Sequence, residues 1–267
     1  MSANIIPSAS VLLVRNGASG LEVLMMQRAR HLSFAAGALV FPGGKVDLED
    51  SDTLFWGRRV HGSVLMPDFP YRMAAIRELV EETGILLGAD KRRRPVHGTV
   101  ARRIIRKYSG PARQARRALD MNRIMLSPSS LVPFAHWITP EGMPRRFDTH
   151  FYVAAMPAKQ QMSFIEGEAT RLLWCRPKDI LASVDKENVP MMFPTRMNLM
   201  KLARTDTVRD ALVDAASYPA VRIEPDMNDR ANPLHIETLR QAGYPDVDMA
   251  KMVRLLPKSE KIAKGTS

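Results

Sequence analysis

The amino-acid sequence predicts an α/β or α+β fold in one domain, and three observations carry that prediction. Strand-patterned runs come first, and later strands are interspersed with helical stretches. The chain has 267 residues, 45% of them apolar, which is enough to fill a sizeable core. No internal repeat and no clear linker divides residues 1–267.

Taken in order, residues 9–15 and 21–27 are β-rich runs separated by Asn16-Gly17-Ala18-Ser19-Gly20, residues suited to the positive φ angles of a hairpin turn. Residues 38–41 form a third strand that should stop at Pro42-Gly43-Gly44. A helical pattern covers 71–87, with Gly84 placed to end it. Between the two, residues 51–70 contain Trp56, Gly57, Pro67 and Pro70 and read as an irregular inserted loop. Residues 99–125 suit one or two helices interrupted near Ser109-Gly110-Pro111. Strands follow at 131–138 and 147–156 around the turn residues Thr139-Pro140-Glu141-Gly142, and a short strand at 172–175. The part from 177 to 257 is mainly helical, with helices at 178–184, 195–204 and 207–216, and the polar tail 258–267 reads as disordered.

The formal charge of +11 is local. Between Lys91 and Arg123 lie twelve Lys and Arg and one acid, Asp120, so the whole excess sits in the basic helical segment 91–125. A solvated helical face, a nucleic-acid surface over 91–123 and a field that steers an anionic small molecule all fit such a run. The single cysteine, Cys175, cannot form an internal disulfide, and residues 1–14 lack the pattern of a secretory leader. No apolar run approaches the ~20 residues of a membrane-spanning helix, so a soluble, cytoplasmic protein without a membrane partner is expected.

The chemistry concentrates on the 71–87 helix. An α-helix turns about 100° per residue, so with Arg77 at zero Glu81 falls near ~40°, Glu78 near ~100° and Glu82 near ~140°. These side chains share one face, while Ile76, Leu79 and Val80 form an apolar stripe on the other. Like charges a turn apart repel, and a bound divalent cation would remove that cost. Hard oxygen ligands suit Mg²⁺ or Mn²⁺, and magnesium is typically shared with substrate phosphates. Composition alone leaves a second reading open, a surface helix whose charges only solubilise it.

The string Gly44-x5-Asp50-x26-Arg77-Glu78-Leu79-Val80-Glu81-Glu82-Thr83-Gly84-Ile85 resembles the Nudix box, Gly-x5-Glu-x7-Arg-Glu-U-x-Glu-Glu-x-Gly-U, where U is apolar. Its second half matches at every specified position, and Phe41-Pro42-Gly43-Gly44 is similar to the usual lead-in. Asp50 stands where the family has Glu, and the spacer holds 26 residues instead of seven, so the insertion 51–70 falls inside the box. An interrupted box is similar to the coenzyme A diphosphatase subgroup, which includes a mammalian peroxisomal enzyme. His136-Trp137-Ile138-Thr139-Pro140 and Arg145-Arg146-Phe147-Asp148-Thr149 add to that similarity. The resemblance implies a Nudix α/β/α sandwich with a mixed β-sheet, extra helices, and hydrolysis of a nucleoside diphosphate linked to another group.

It also implies roles. Glu81 and Glu82 would be direct ligands of Mg²⁺ or Mn²⁺, with Glu78 a third ligand or the base that orients water, and Arg77 would hold Glu78 in place. Gly43 and Gly44 would let the backbone approach the metal site. Glu166 or Glu168 would supply a further acid, unless both are solvated loop acids. Arg28, Arg145 and Arg146 would grip a diphosphate, or pair with a surface acid. Asp50 is left without a role. His136 and His150 read as core or edge histidines, because no Cys or His neighbours have ligand spacing along the chain. Cys175 reads as a buried strand residue, and Met191, Met192 and Met197 as helix packing or the wall of an apolar pocket.

The function expected from these residues is Mg²⁺-dependent cleavage of a small-molecule nucleotide diphosphate, coenzyme A or acyl-coenzyme A first. The alternatives are another nucleotide (ADP-ribose, NADH, a nucleotide sugar or capped RNA) and a binding module that has lost catalysis. A homodimer is compatible with the family.

Overall fold

The computed structural model describes residues 4–29, 37–108, 112–162, 169–187, 189–229 and 231–248, with Met252 and Leu255. Strands β1 (Ile5–Gly17) and β2 (Gly20–Arg28) form the expected hairpin, with Gly17 opposite Gly20 and two residues in the turn. β3 (Leu39–Val40) leads through Phe41-Pro42 into β4 (Gly43–Lys45), a 3-10 turn at Leu48–Ser51 and the short helix α1 (Thr53–Trp56). Helix α2 (Phe69–Thr83) carries the acidic face. It starts two residues before the expected boundary, because Pro70 sits in the first turn where its missing N–H is no loss. It stops at Thr83 rather than Leu87, because Gly84 at φ 67° turns the chain left-handed.

The chain continues through β5 (Gly88–Asp90), α3 (Gly98–Tyr108), α4 (Ala112–Asn122) and β6 (Ile124–Leu126), then β7 (Val132–Ile138), β8 (Arg146–Ala155) and β9 (Ala169–Cys175). It closes with α5 (Pro177–Glu187), α6 (Phe193–Leu202), α7 (Val208–Ser217), β10 (Arg222–Ile223) and α8 (Ile236–Gln241). The main mixed sheet runs β10-β7-β8-β1-β2-β3, with β4 added on β1 and β9 on β2. β5 and β6 form a separate two-stranded ribbon.

Central strand β1 pairs in parallel with β8 from Ile5 to Val14. Its other edge is divided: β2 holds Val14 to Gly17 and β4 holds Ser8 to Ser10. β2 in turn leaves β1 and pairs with β3 at Met26 and Gln27. The hairpin therefore splays into a wedge, and the β3–β4 segment with its two glycines fills it.

Alternation along the strands separates two cores. Ala9, Val11, Leu13, Leu24, Tyr152 and Ala154 face α2, α3 and α4. Leu12, Val14, Val23, Met25, Phe151 and Val153 face the C-terminal helices α5 to α8. Helices on both faces of a mixed sheet give the α/β/α sandwich. α3 and α4 bury Ala101, Ile104, Ala118 and Leu119 in the first core and leave Arg102, Arg103 and Arg117 exposed.

The segment 51–70 is more ordered than an irregular loop. Asp52 caps α1 by accepting from the Phe55 N–H at 2.9 Å. Trp56, 4% exposed, packs in the first core and donates its indole N–H to the Glu49 carbonyl at 2.9 Å. The Leu126 N–H donates to the Arg59 carbonyl at 2.7 Å, the His61 N–H to the Leu126 carbonyl at 2.7 Å, and Arg59 pairs with Asp120 of α4. Trp56→Ala should therefore cost about 3–5 kcal/mol in a urea unfolding titration, the range for deleting a buried aromatic. An unchanged midpoint would mean that the segment is a loose loop after all.

Candidate active site

The acidic face of α2 is aimed by what lies behind it. Ile76, Leu79 and Val80 are fully buried in the core, which fixes the rotation of the helix and turns Glu78, Glu81 and Arg77 outward. Arg77 then ties the face together. Its Nε and Nη2 donate to the two oxygens of Asp50 at 3.2 and 3.0 Å, and Nη2 also to the Lys45 carbonyl at 2.8 Å. Nη1 donates to Glu78 Oε1 at 2.8 Å and to Glu81 Oε2 at 3.3 Å, while Asp47 lies 3.3 Å from Nη2.

Asp50 thus has a place that its shortened side chain left open in the sequence. It is 2% exposed, accepts from the Asp47 N–H at 2.9 Å, and meets Arg77 with both oxygens. The 3-10 turn that carries it packs on α2, so a two-carbon reach suffices. Burial pushes the Asp50 and Glu81 carboxyls up, and Arg77 pulls each back. Burial opposes the charge on Arg77 as well, but Asp50 and Glu78 outweigh it and hold the guanidinium above its ordinary pKa.

The glycine pair completes the arrangement. The Gly43 N–H donates to Glu82 Oε2 at 2.8 Å, fastening the wedge to the helix. A side chain is sterically excluded at both positions: a Cβ on Gly43 would lie 2.3 Å from the Ala9 carbonyl, and one on Gly44 2.3 Å from Glu78 Oε1. The Gly44 contact is a cradle for the Glu78 carboxylate. Four carboxylates, Asp47, Asp50, Glu78 and Glu81, surround a single guanidinium, and Glu82 follows one turn after Glu78. The donors are all hard oxygens with excess negative charge, which fits Mg²⁺ or Mn²⁺.

A cleft of about 480 Å³ adjoins this cluster, and Glu78 and Asp47 line it. Phe41, Trp137, Phe147 and Phe151 supply aromatic walls, and Arg28, Lys45 and Arg145 supply cations. Arg28 Nε is buried there and makes no hydrogen bond among the described residues. Met192 lines the cleft, whereas Met197 is fully buried, so the methionine cluster divides between pocket wall and packing.

Strand register refines two expectations. Alternation on and just before β8 sends Arg145, Phe147, Thr149 and Phe151 to the cleft. Arg146 is out of phase: it is 4% exposed, donates to the Thr139 carbonyl at 3.1 Å and pairs with Glu224, which is the acid pairing open to it as the alternative to a diphosphate contact. His136 and His150 do have ligand-type neighbours. They face each other across β7 and β8, with Asp148 beside them, a proximity set by strand register and invisible as spacing along the chain. Burial, then the neighbouring His136, lowers the His150 pKa to about 4. Glu166 and Glu168 lie outside the described residues.

Comparison with known proteins bears on the family and the fold. A family model described as the NUDT19 Nudix domain matches residues 51–202. The acyl-coenzyme A diphosphatase NUDT19 of Xenopus laevis is 25% identical over 233 residues, covering 70% of this chain and 61% of that protein. The protein of the same name from Gallus gallus is 25% identical over 243 residues, covering 71% and 63%. The matches thus span less than two thirds of these relatives' length. Among solved structures, a NUDIX hydrolase from Alicyclobacillus acidocaldarius superposes with a TM-score of 0.66 at 23% identity, covering 79% of this chain and 96% of that one.

The Arg77 cluster yields a stability prediction. Asp50→Asn, at a buried pair, should cost about 3–5 kcal/mol in a urea titration. Asp47→Asn, at an acid that is 56% exposed, should cost under ~1 kcal/mol. Equal effects would show that Asp50 does not hold Arg77.

Proposed function

The chain belongs to the Nudix hydrolases, in the NUDT19 Nudix domain family, and from that premise we propose that it cleaves the diphosphate of coenzyme A or an acyl-coenzyme A with Mg²⁺ or Mn²⁺ as cofactor. The observation that carries the proposal is the cleft, which Asp47 and Glu78 line together with three cations and four aromatic side chains. Coenzyme A presents matching chemistry: a diphosphate, a further phosphate on the ribose, and an adenine. Arg28, Lys45 and Arg145, which line the cleft, would bind phosphate oxygens, and the aromatic walls would offer faces for the base. The names of the frog and chicken relatives support the same substrate class.

Glu81 and Glu82 would hold the cation. When bound, it would offset charge on the phosphoryl oxygens and lower the pKa of water. Glu78, the acid of α2 that lines the cleft, is the group to take the proton from the attacking water. Arg77 orients Glu78 through the 2.8 Å hydrogen bond, and the Gly43 N–H keeps Glu82 against the wedge. Attack on phosphorus breaks the anhydride and gives adenosine 3′,5′-bisphosphate and a phosphopantetheine fragment. Exposed Arg102, Arg103 and Arg117 on α3 and α4 add a positive field that favours arrival of a polyanion.

The test is turnover of a panel containing coenzyme A, ADP-ribose, NADH, nucleotide sugars and capped RNA with Mg²⁺. Coenzyme A should be cleaved, Glu82→Gln should reduce kcat by at least ~10³-fold (about 4 kcal/mol) while the fold survives, and Arg145→Ala should raise KM about tenfold. Cleavage of another panel member with coenzyme A untouched would overturn the substrate assignment. Activity surviving in Glu82→Gln would overturn the site.

A further inference from the structure

A second group of metal-type donors lies outside the acidic cluster. In the antiparallel pair of β7 and β8, His136 is directly opposite His150, so both side chains leave the same face of the sheet. Asp148, two residues before His150 on the same strand, points the same way. Each residue offers one donor atom, and the three lie within 4.8 Å of one another. We propose that His136, Asp148 and His150 form a binding site for a divalent transition-metal ion, Zn²⁺ by the chemistry of its donors, separate from the carboxylate site of α2.

Donor type decides the ion. Two imidazoles and one carboxylate suit zinc, whereas the all-oxygen face of α2 suits magnesium. The spacing is close to what zinc needs. With metal–ligand bonds of about 2.0–2.1 Å, tetrahedral ligands stand roughly 3.3–3.4 Å apart. Asp148 Oδ1 is 2.6 Å from His136 Nε2 and 3.9 Å from His150 Nε2, so one gap opens and the other closes, each by less than ~1 Å.

The surroundings already restrain the ligands. The His150 ring packs between His136 and Tyr71, with ring centroids 4.1 and 4.0 Å away and the two imidazoles tilted by 32°, so binding one ion through both requires the rings to turn toward a shared point. The Tyr71 hydroxyl donates to Asp148 Oδ2 at 3.3 Å, the oxygen turned away from His136, which is the outer hydrogen bond that orients a coordinating carboxylate. Nearby Asp68 is neutralised by Arg72 at 2.8 Å, leaving Asp148 as the charge that meets the cation. The three side chains are 17–25% exposed, so an ion can enter and water can take the fourth position.

The placement gives the ion a purpose. Tyr71 is on α2, seven residues before Glu78 and therefore about 10 Å along the helix from it. Zinc at this site would fasten β7 and β8 beneath the N-terminal half of the helix that carries the acidic face.

The experiment uses the untagged full chain, stripped with a chelator and kept in excess Mg²⁺ to occupy the carboxylates. Calorimetric titration with Zn²⁺ should show one equivalent bound, weakened at least tenfold in His136→Gln and in His150→Gln but retained in Glu82→Gln. Co²⁺ added to the unaltered chain should give the visible bands of a four-coordinate site with nitrogen ligands. That spectrum decides the matter even if a histidine variant fails to fold. No zinc equivalent, a zinc equivalent indifferent to both histidine substitutions, or a Co²⁺ spectrum without those bands would overturn the site and leave His136 and Asp148 as a hydrogen-bonded pair only.

Discussion

Arg77 holds together parts of the chain that would otherwise repel. Four carboxylates approach its single guanidinium, and they arrive from different elements: Asp47 and Asp50 from the 3-10 region, Glu78 and Glu81 from α2. An isolated buried carboxylate is costly, and Asp50 is tolerated because the planar, permanently charged fork has several donors to share. The same fork accepts no second geometry easily. Fixing Asp50 on one edge fixes the direction of Nη1, and with it the oxygen of Glu78 that is left to face the cleft. Stability and site geometry therefore rest on one side chain.

The wedge between β1 and β2 is the backbone counterpart of that arrangement. A regular hairpin paired along its whole length would leave no room for the β3–β4 segment. Because the strands part beyond the Val14–Val23 pair, Gly43 and Gly44 reach β1 and the Gly43 N–H reaches Glu82. Residues on the cleft face of the sheet, such as Ser10 and Thr149, thereby share a pocket with Glu78, whose helix packs on the other face.

Much of this was legible in the sequence for physical reasons. The hairpin, the acidic helix and the strands around Trp137 and Phe151 have clear periodicity, and the helix stop at Gly84 follows from one residue's conformational freedom. The rest depended on information that periodicity lacks. β4 and β10 are too short to show a pattern, and α1 is a single turn, so Trp56 looked like a loop residue. Arg145 and Arg146 are indistinguishable as letters, and a one-residue phase on β8 separates the cleft wall from the buried partner of Glu224. His136 and His150 became neighbours only through register across two strands.

The buried Asp50–Arg77 pair also explains how a signature can be pulled apart without losing its geometry. The ends of the intervening loop are clamped, and the entropy of closing a flexible loop grows only logarithmically with length. Going from seven residues to 26 adds about 1 kcal/mol on that scale. Burying Trp56 alone offsets such a cost. The interval between the two halves is therefore a place where the chain can acquire new structure, and a search that fixes their spacing would pass over proteins whose catalytic halves meet in space in the same way.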